Sequence, residues 1–506
     1  MLTQSKPNRA SGRIIVVGGG MGGLSAGLSL AADGHDVLIL EKADAPGGKA
    51  RLVPVGPVAV NGGPTVLTMK WVFDGLFQKA GRRLEDYAVL RPASLLARHF
   101  WPEGGRLDLF DDVERSAVEI ESFSDARNAE GYRRFCTDSA DVFGLLKDTF
   151  IDAPRPNMLD LVRRIGFSRP AAQLKLQPFK SLWSVLEGYF PDPRLRQLFG
   201  RYATYCGSSP FQAPATLMLV AHVEQAGGWR IEGGMHALAH ALASCAREQG
   251  AEVRFGADVA CIMTSGGRVS GVRLASGEEL SARAVVFNGD VSALGLMLED
   301  GAKAGVPAVP AKARSLSALA WCCHAEPAGA PLAYHTVFFN SSYRDEFDAC
   351  FSRRRITAEP TVYICAQDRL ADAPPPEGGR ERLLCLINAP ASGDFAYPDK
   401  GEIDQCLTAT LAHLKQCGLT LDRDKMDCVA TGPMQFHTLF PASGGAIYGP
   451  VTHGMTGAFN RHGARTRIKG LYLAGGTVHP GPGVPMAALS GKLAAECLVS
   501  DHASMR

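Results

Sequence analysis

Four consecutive β-branched residues, Ile14 to Val17, make the first apolar run of the chain, with no polar residue among them. Such a run predicts a short strand covered on both faces. Gly18, Gly20 and Gly23 follow, and then Leu24, Leu28, Leu30 and Ala31 fall into a helical pattern that stops at Gly34-His35. A second apolar run, Val37 to Leu40, closes on Glu41. Strand, glycine turn, helix, strand and acid in this order predict a parallel α/β unit.

After Pro46-Gly47-Gly48-Lys49 the pattern predicts a strand near Val58–Val60 and a turn over Asn61-Gly62-Gly63-Pro64-Thr65. From Met69 to about Gln225 it reads mostly as helix and loop. A helical stripe stands out there, with Leu176, Phe179, Leu182, Trp183, Leu186, Tyr189 and Phe190 recurring at spacings of three and one. A second α/β stretch begins at Gly233-Gly234, with a helix (Leu238, Leu242, Cys245) and strands at Glu252–Phe255, Cys261–Thr264, Val269–Leu274 and Ala284–Phe287. Short strands and loops alternate from Pro307 to about Arg467, with a turn at Pro374-Pro375-Pro376. The last block is a strand, Leu471–Ala474, a turn at Gly475-Gly476 and a helix over Val484–Leu498. The nucleotide-type architecture therefore comes in three pieces, residues 1–75, 226–300 and 465–506. Regions 76–225 and 301–464 are inserted between them. No internal repeat occurs at a fixed period.

Composition narrows the classes. At roughly 100–200 residues per domain, 506 residues carry two to four domains and a large core. Lys and Arg (53) nearly balance Asp and Glu (51), so there is no cationic excess for a nucleic-acid backbone. The 13 cysteines contain no CxxC pair, which reads as reduced thiols in a cytoplasmic compartment, with Cys322-Cys323 as small apolar filler. The start of the chain, Met1 to Arg13, lacks a secretory apolar segment, and no run approaches a membrane span.

The glycine turn carries the chemistry. Gly18 permits the tight turn, Gly20 admits a pyrophosphate to the backbone, and Gly23 lets helix and strand pack closely. Amides at the helix N-terminus face the phosphates, and Glu41 can accept both ribose hydroxyls. Gly23-Leu24-Ser25-Ala26-Gly27 also spells a hydrolase nucleophile elbow, but Ser25 falls inside the helix rather than at the strand–helix turn. The dinucleotide reading explains more residues with one geometry. No second dinucleotide fingerprint is present for NAD(P)H, and Gly47-Gly48 adds amides near the same pyrophosphate. FAD is the indicated cofactor.

Val16 to Lys49, Gly62–Thr65 and the tail Leu471–Gly491 together resemble the FAD-dependent carotenoid desaturases of the bacterial phytoene desaturase type, within the glutathione-reductase-like and amine-oxidase-like flavoproteins. The segments Arg201–Pro214, Trp229–Leu242 and His335–Phe351 extend the resemblance along the chain. The tail run Gly475-Gly476-Thr477-Val478-His479-Pro480-Gly481-Pro482-Gly483-Val484-Pro485 is its most specific piece, with Val478 as a one-residue insertion. Asn61 stands where many relatives have an acid. Met486–Gly491 and Gly63–Met69 are most similar to the 1-hydroxycarotenoid 3,4-desaturase branch, the hydroxyneurosporene or methoxyneurosporene desaturases.

The resemblance implies an α/β fold with α+β insertions, built on a discontinuous Rossmann-like FAD domain. It implies cofactor contacts at Gly18, Gly20, Gly23, Glu41, Gly47, Gly48, Lys49, Gly63, Pro64, Thr65, Val259, Gly475, Gly476, Val484, Pro485 and Met486. The implied reaction passes a hydride from an acyclic carotenoid to FAD while a proton leaves the neighbouring carbon. Oxygen or a quinone would reoxidise the cofactor. Asp160 and Arg163, three apart on one helical face, match an Asp-x-x-Arg placed near the flavin in that family and are the catalytic candidates. An insoluble substrate implies peripheral contact with a membrane, through region 76–225. His236 and His240 share a helix face but lack a third ligand, so no metal is expected. Arg353-Arg354-Arg355 reads as a solvated loop. Other readings are a phytoene desaturase, another flavin oxidoreductase such as an amine oxidase, and more distantly a prenyl-binding protein without enzymatic activity.

Overall fold

In the computed structural model, which describes residues 12–166, 176–299, 303–369, 379–395 and 400–503, the first apolar run is strand β1 (Ile14–Val17). It leads through the glycine turn into helix α1 (Met21–Ala32) and strand β2 (Val37–Leu40). The chain returns to this unit with helix α2 (Gly234–Glu248) and strands β3 (Glu252–Arg254) and β4 (Ala284–Phe287). Strand β5 (Leu471–Leu473) and helix α3 (Val484–Ala503) complete it. The five strands form one parallel sheet in the order β5-β4-β1-β2-β3. This is a Rossmann-like α/β domain assembled from three separated stretches.

The double-sided burial follows from the pleat. Ile14, Val16, Val37 and Ile39 point into one hydrophobic cluster, shared with α1, α2 and α3. Ile15, Val17, Leu38 and Leu40 point into a second. That second face is covered by a three-stranded antiparallel sheet, Val259–Ser265, Arg268–Leu274 and Glu279–Ser281. With side chains alternating along each strand, covering both faces requires apolar residues at every position. Val478 is buried in the same second cluster.

A seven-stranded sheet forms the other half of the molecule. Its order is Asp427–Thr431, Ser317–Ala325, Glu381–Ala389, Val362–Ala366, His335–Phe338, Leu95–Phe100 and Arg106–Phe110. The last two strands correct the helix-and-loop reading of residues 69–225. Leu95–Phe100 pairs in parallel with His335–Phe338, so regions far apart in sequence share one sheet. The strand-and-loop reading of residues 307–467 also needs correction, because Lys400–Gln416 is a helix. The stripe from Leu176 to Phe190 is broken. Gln177 adopts a φ of 42° in a turn, the helix spans only Leu182–Tyr189, and Phe179 is 89% exposed. The turn Pro374-Pro375-Pro376 lies outside the described residues.

Among the described residues no helix is long and apolar enough to cross a membrane, and no disulfide is formed. Cys322 and Cys323 are buried, with Cys323 Sγ 3.3 Å from Cys428 Sγ across paired strands.

Candidate functional site

A cavity of about 640 Å³ opens at the carboxyl ends of β1, β2 and β4, where Val17, Leu40 and Phe287 line it. It continues to the face of the seven-stranded sheet that carries His99, Val337, Leu384 and Leu386. Ligands of open parallel sheets sit at this end of the strands, because the βα turns open there.

The turn itself is shaped for a dinucleotide. Gly18 holds a φ of +99°, and a Cβ on Gly23 would meet the Gly18 carbonyl oxygen at 2.0 Å. No side chain caps the N-terminus of α1, and no acid lies in its first turn, so its amides are available to an anion. Glu41 is buried at the end of β2 and is held in place by two amides. The Gly19 N–H donates to Oε2 (2.6 Å) and the Ala43 N–H to Oε1 (2.9 Å). A carboxylate has further lone pairs, which can accept ribose hydroxyls.

The loop after Glu41 closes over the turn. The Gly47 N–H donates to the Gly19 carbonyl at 2.8 Å, and a Cβ on Gly63 would meet the Lys49 carbonyl oxygen at 1.9 Å. Lys49 reaches across the cavity, its Nζ donating to the Ile447 carbonyl at 2.7 Å, and burial pushes its pKa down. Arg461, 2% exposed, grips the same segment by donating to the carbonyls of Tyr448 (3.1 Å), Pro450 (2.7 Å) and Gly476 (3.1 Å). Lys49 and Arg461 thus fix the 447–450 strip against the Gly475-Gly476 turn. Burial brings the Arg461 pKa down to about 10.

Of the residues expected to contact the cofactor, Gly18, Gly20, Glu41, Gly47, Gly48 and Lys49 line the cavity from one side. Gly63, Pro64, Thr65 and Val259, then Gly475, Gly476 and Val484, line it elsewhere. Gly23, Pro485 and Met486 do not. Gly23 shapes the turn from behind, Pro485 is buried, and Met486 packs at the edge of the core. The cradle of close backbone approaches, uncapped amides and an oriented carboxylate fits FAD.

The catalytic candidates are elsewhere. Asp160 forms a capping box at the start of the helix Met158–Ile165. Its N–H donates to Asn157 Oδ1 (2.9 Å), and the Asn157 N–H donates to Asp160 Oδ2 (3.4 Å). Arg163 is exposed one turn on. Neither is among the described residues lining the cavity; Asp160 sits in the helix cap and Arg163 is exposed. His236 and His240 face each other, with their Nε2 atoms 2.9 Å apart.

Apart from Glu41, Lys49 and Thr65, the polar groups lining the cavity come from segments with no local motif. Thr65 Oγ1 and Tyr363 Oη are 2.6 Å apart, and Tyr363 Oη is 2.7 Å from His335 Nδ1. Burial pushes His335 down to about 3, so its ring is neutral. The Arg201 guanidinium lies over the Tyr363 ring, 5.7 Å from its centroid. Tyr205 donates its hydroxyl to Glu224 Oε1, and Tyr202 also hydrogen-bonds that carboxyl. Burial raises the Glu224 carboxyl, with the two tyrosines and Arg201 opposing the shift. Nothing in the spacing of Arg201, Tyr205 and Glu224 announces this cluster. It forms because the turn Arg201–Cys206 and the helix Leu219–Gln225 meet at the cavity wall.

The flavin containing amine oxidoreductase family matches residues 21–499. Hydroxyneurosporene desaturase of Rubrivivax gelatinosus is 48% identical over 496 residues, spanning 96% of this chain and 93% of that one. The hydroxyneurosporene desaturase of Cereibacter sphaeroides is 43% identical over 493 residues, spanning 97% and 98%. Among solved structures, wild-type putrescine oxidase bound to putrescine superposes with a TM-score of 0.59 at 13% identity, covering 98% of this chain and 100% of that one. That last likeness concerns the fold alone.

Proposed function

The chain belongs to the flavin containing amine oxidoreductase family, and within it we propose an FAD-dependent desaturase that introduces a carbon–carbon double bond at the 3,4-position of an acyclic 1-hydroxy or methoxy carotenoid. The observation that carries this reading is the single cavity that joins a dinucleotide cradle to a largely apolar chamber. A polyene has almost no groups to hydrogen-bond, so its recognition depends on apolar walls and shape.

FAD, when bound, supplies the two-electron acceptor that takes up a hydride from the carotenoid. The chain's own residues bind and orient. Glu41 and the amides of α1 hold the nucleotide end, while Lys49 and Arg461 lock the 447–450 strip beside the Gly475-Gly476 turn. Leu109, Leu198, Val337, Leu384 and Leu386 present apolar surface that excludes water from the extended chain. The electrons pass on to oxygen or a quinone. A peripheral membrane position suits a substrate that resides in lipid, and Phe179 (89% exposed) and Leu159 (75%), with Arg163, Arg164 and Lys180 nearby in sequence, are its candidate contacts.

The test is product identification. FAD-loaded protein incubated with liposomes carrying 1-hydroxyneurosporene and an electron acceptor yields a carotenoid lighter by two hydrogens and absorbing further to the red. Recovery of unchanged substrate, with oxidation of phytoene or of an amine instead, would overturn the substrate assignment while leaving the flavoenzyme.

A further inference from the structure

The cavity wall is divided. Most of it is apolar, but Arg201, Tyr205 and Glu224 form one polar cluster that lines the same cavity as Gly63, Pro64 and Thr65 of the Asn61–Thr65 turn. Thr65, in that turn, is hydrogen-bonded to Tyr363, and Arg201 covers the Tyr363 ring. Among the described residues no ion pair or hydrogen bond holds the Arg201 guanidinium, although it lines the cavity. The Glu224 carboxylate accepts from two tyrosines and has lone pairs left for another donor.

The substrate carries one polar group. With carbon–carbon bonds of about 1.5 Å, an oxygen on C1 lies about 3–5 Å from C3 and C4. The terminal oxygen is therefore forced to sit beside the reacting bond, at the cofactor end of the cavity, while the hydrocarbon runs away from it. The polar cluster reaches that side of the cavity through Tyr363, which joins Arg201 to Thr65.

We propose that Arg201 and Glu224 recognise the terminal oxygen of the carotenoid, Arg201 donating to it and Glu224 accepting from it when it is a hydroxyl. This rests on the desaturase reading above and adds the residues that set its selectivity. A guanidinium can only donate, so it serves a hydroxyl and a methoxy oxygen alike. Glu224 serves only the hydroxyl, because a methoxy oxygen has no proton to give. A purely hydrocarbon polyene leaves the Arg201 donors and the remaining Glu224 lone pairs desolvated with no new partner, and a site built to hydrogen-bond a hydroxyl rejects an analogue that lacks it.

Binding can be read apart from turnover, because Trp229 lines the cavity and its fluorescence reports an occupying polyene. The probes are the already desaturated 1-hydroxy polyene, its 1-methoxy counterpart and lycopene, each presented to the FAD-loaded enzyme in phosphatidylcholine–phosphatidylglycerol vesicles. The wild type binds both oxygenated polyenes on the order of 10–100-fold more tightly than lycopene, the range a hydrogen bond to a charged group supplies. R201M brings the methoxy-to-lycopene ratio close to one without weakening lycopene, the hydroxy polyene keeps a preference of roughly tenfold through Glu224, and R201K restores part of the loss. E224Q weakens the hydroxy polyene roughly tenfold and leaves the methoxy polyene unaffected.

Equal weakening of all three polyenes by R201M, or the same loss for hydroxy and methoxy polyenes in E224Q, overturns the proposal. Loss of FAD from R201M assigns Arg201 to the fold and overturns its part. A wild type that desaturates the hydroxylated polyene yet binds lycopene equally well overturns this inference alone. A wild type that neither binds nor desaturates it removes the desaturase reading and this inference together.

Discussion

Replacing Gly23 with alanine places a methyl carbon 2.0 Å from the Gly18 carbonyl oxygen. Carbon and oxygen do not approach so closely, and the obstacle is backbone rather than a side chain that can swing aside. The Gly18 carbonyl has to retreat by roughly 1 Å, a shift of the size that costs about 1–3 kcal/mol in a packed interior. It takes with it the bond from Asn288 Nδ2 (3.1 Å) and strains the Gly18 N–H bond to Leu40 (2.7 Å), each contributing about 1 kcal/mol. Against this, alanine is about 1 kcal/mol better than glycine in a helix. A net loss of about 2–4 kcal/mol falls on the turn that cradles the pyrophosphate, so FAD binds roughly 30–1000-fold more weakly. Gly27→Ala is the control. Its Cβ meets side-chain atoms only, Ile39 Cδ1 at 2.5 Å and Cγ1 at 3.0 Å, with no backbone in the way, so the helical gain offsets part of the contact. Titration of apoprotein with FAD, followed by flavin fluorescence, measures both. Gly23→Ala with wild-type affinity, or Gly27→Ala as damaged as Gly23→Ala, refutes the reasoning.

Glu41→Ala removes the acceptor for two backbone amides and for the ribose, and FAD affinity falls by about 2 kcal/mol, roughly 30-fold, in the same titration. Asp160→Ala breaks the capping box and costs about 1 kcal/mol in urea unfolding, with turnover within twofold of wild type. A turnover loss of roughly 100-fold, about 2.7 kcal/mol of barrier, would return Asp160 to the chemistry. Burial pushes His335 to about 3, and His99, His453 and His479 to about 4, from an ordinary 6.5. These rings are neutral in the fold but take up protons on unfolding below pH 6.5. Stability therefore falls as pH drops from 6.5 towards 4. A melting temperature that stays level across that window contradicts their burial.

The parts of the fold legible in the sequence are those whose pattern is local. Ile14–Val17, Val37–Leu40 and Ala284–Phe287 are apolar at every position because both faces of their sheet are covered, and their bounds can be read directly. Leu95–Phe100 was hidden because its partner lies in His335–Phe338, and a run containing Arg98 and His99 shows no clean alternation. The stripe from Leu176 misled because apolar spacing continues through a turn, and only Ser181, which caps the real helix, marks where it begins. The helix Lys400–Gln416 did carry a signal. Ile403, Cys406, Leu407, Leu411 and Leu414 recur at helical spacing and pack on the seven-stranded sheet. The same contrast holds at the site. The cofactor cradle is written in glycines close to one another, whereas Arg201, Glu224, His335 and Tyr363 meet only through tertiary packing.

The most direct measurement is an anaerobic single turnover, in which FAD-loaded protein is mixed with liposomes bearing 1-hydroxyneurosporene and both chromophores are followed together. The account predicts that the oxidised flavin absorption bleaches as the polyene band moves to the red, at the same rate and in one-to-one amount. Flavin that stays oxidised while the polyene is unchanged contradicts it.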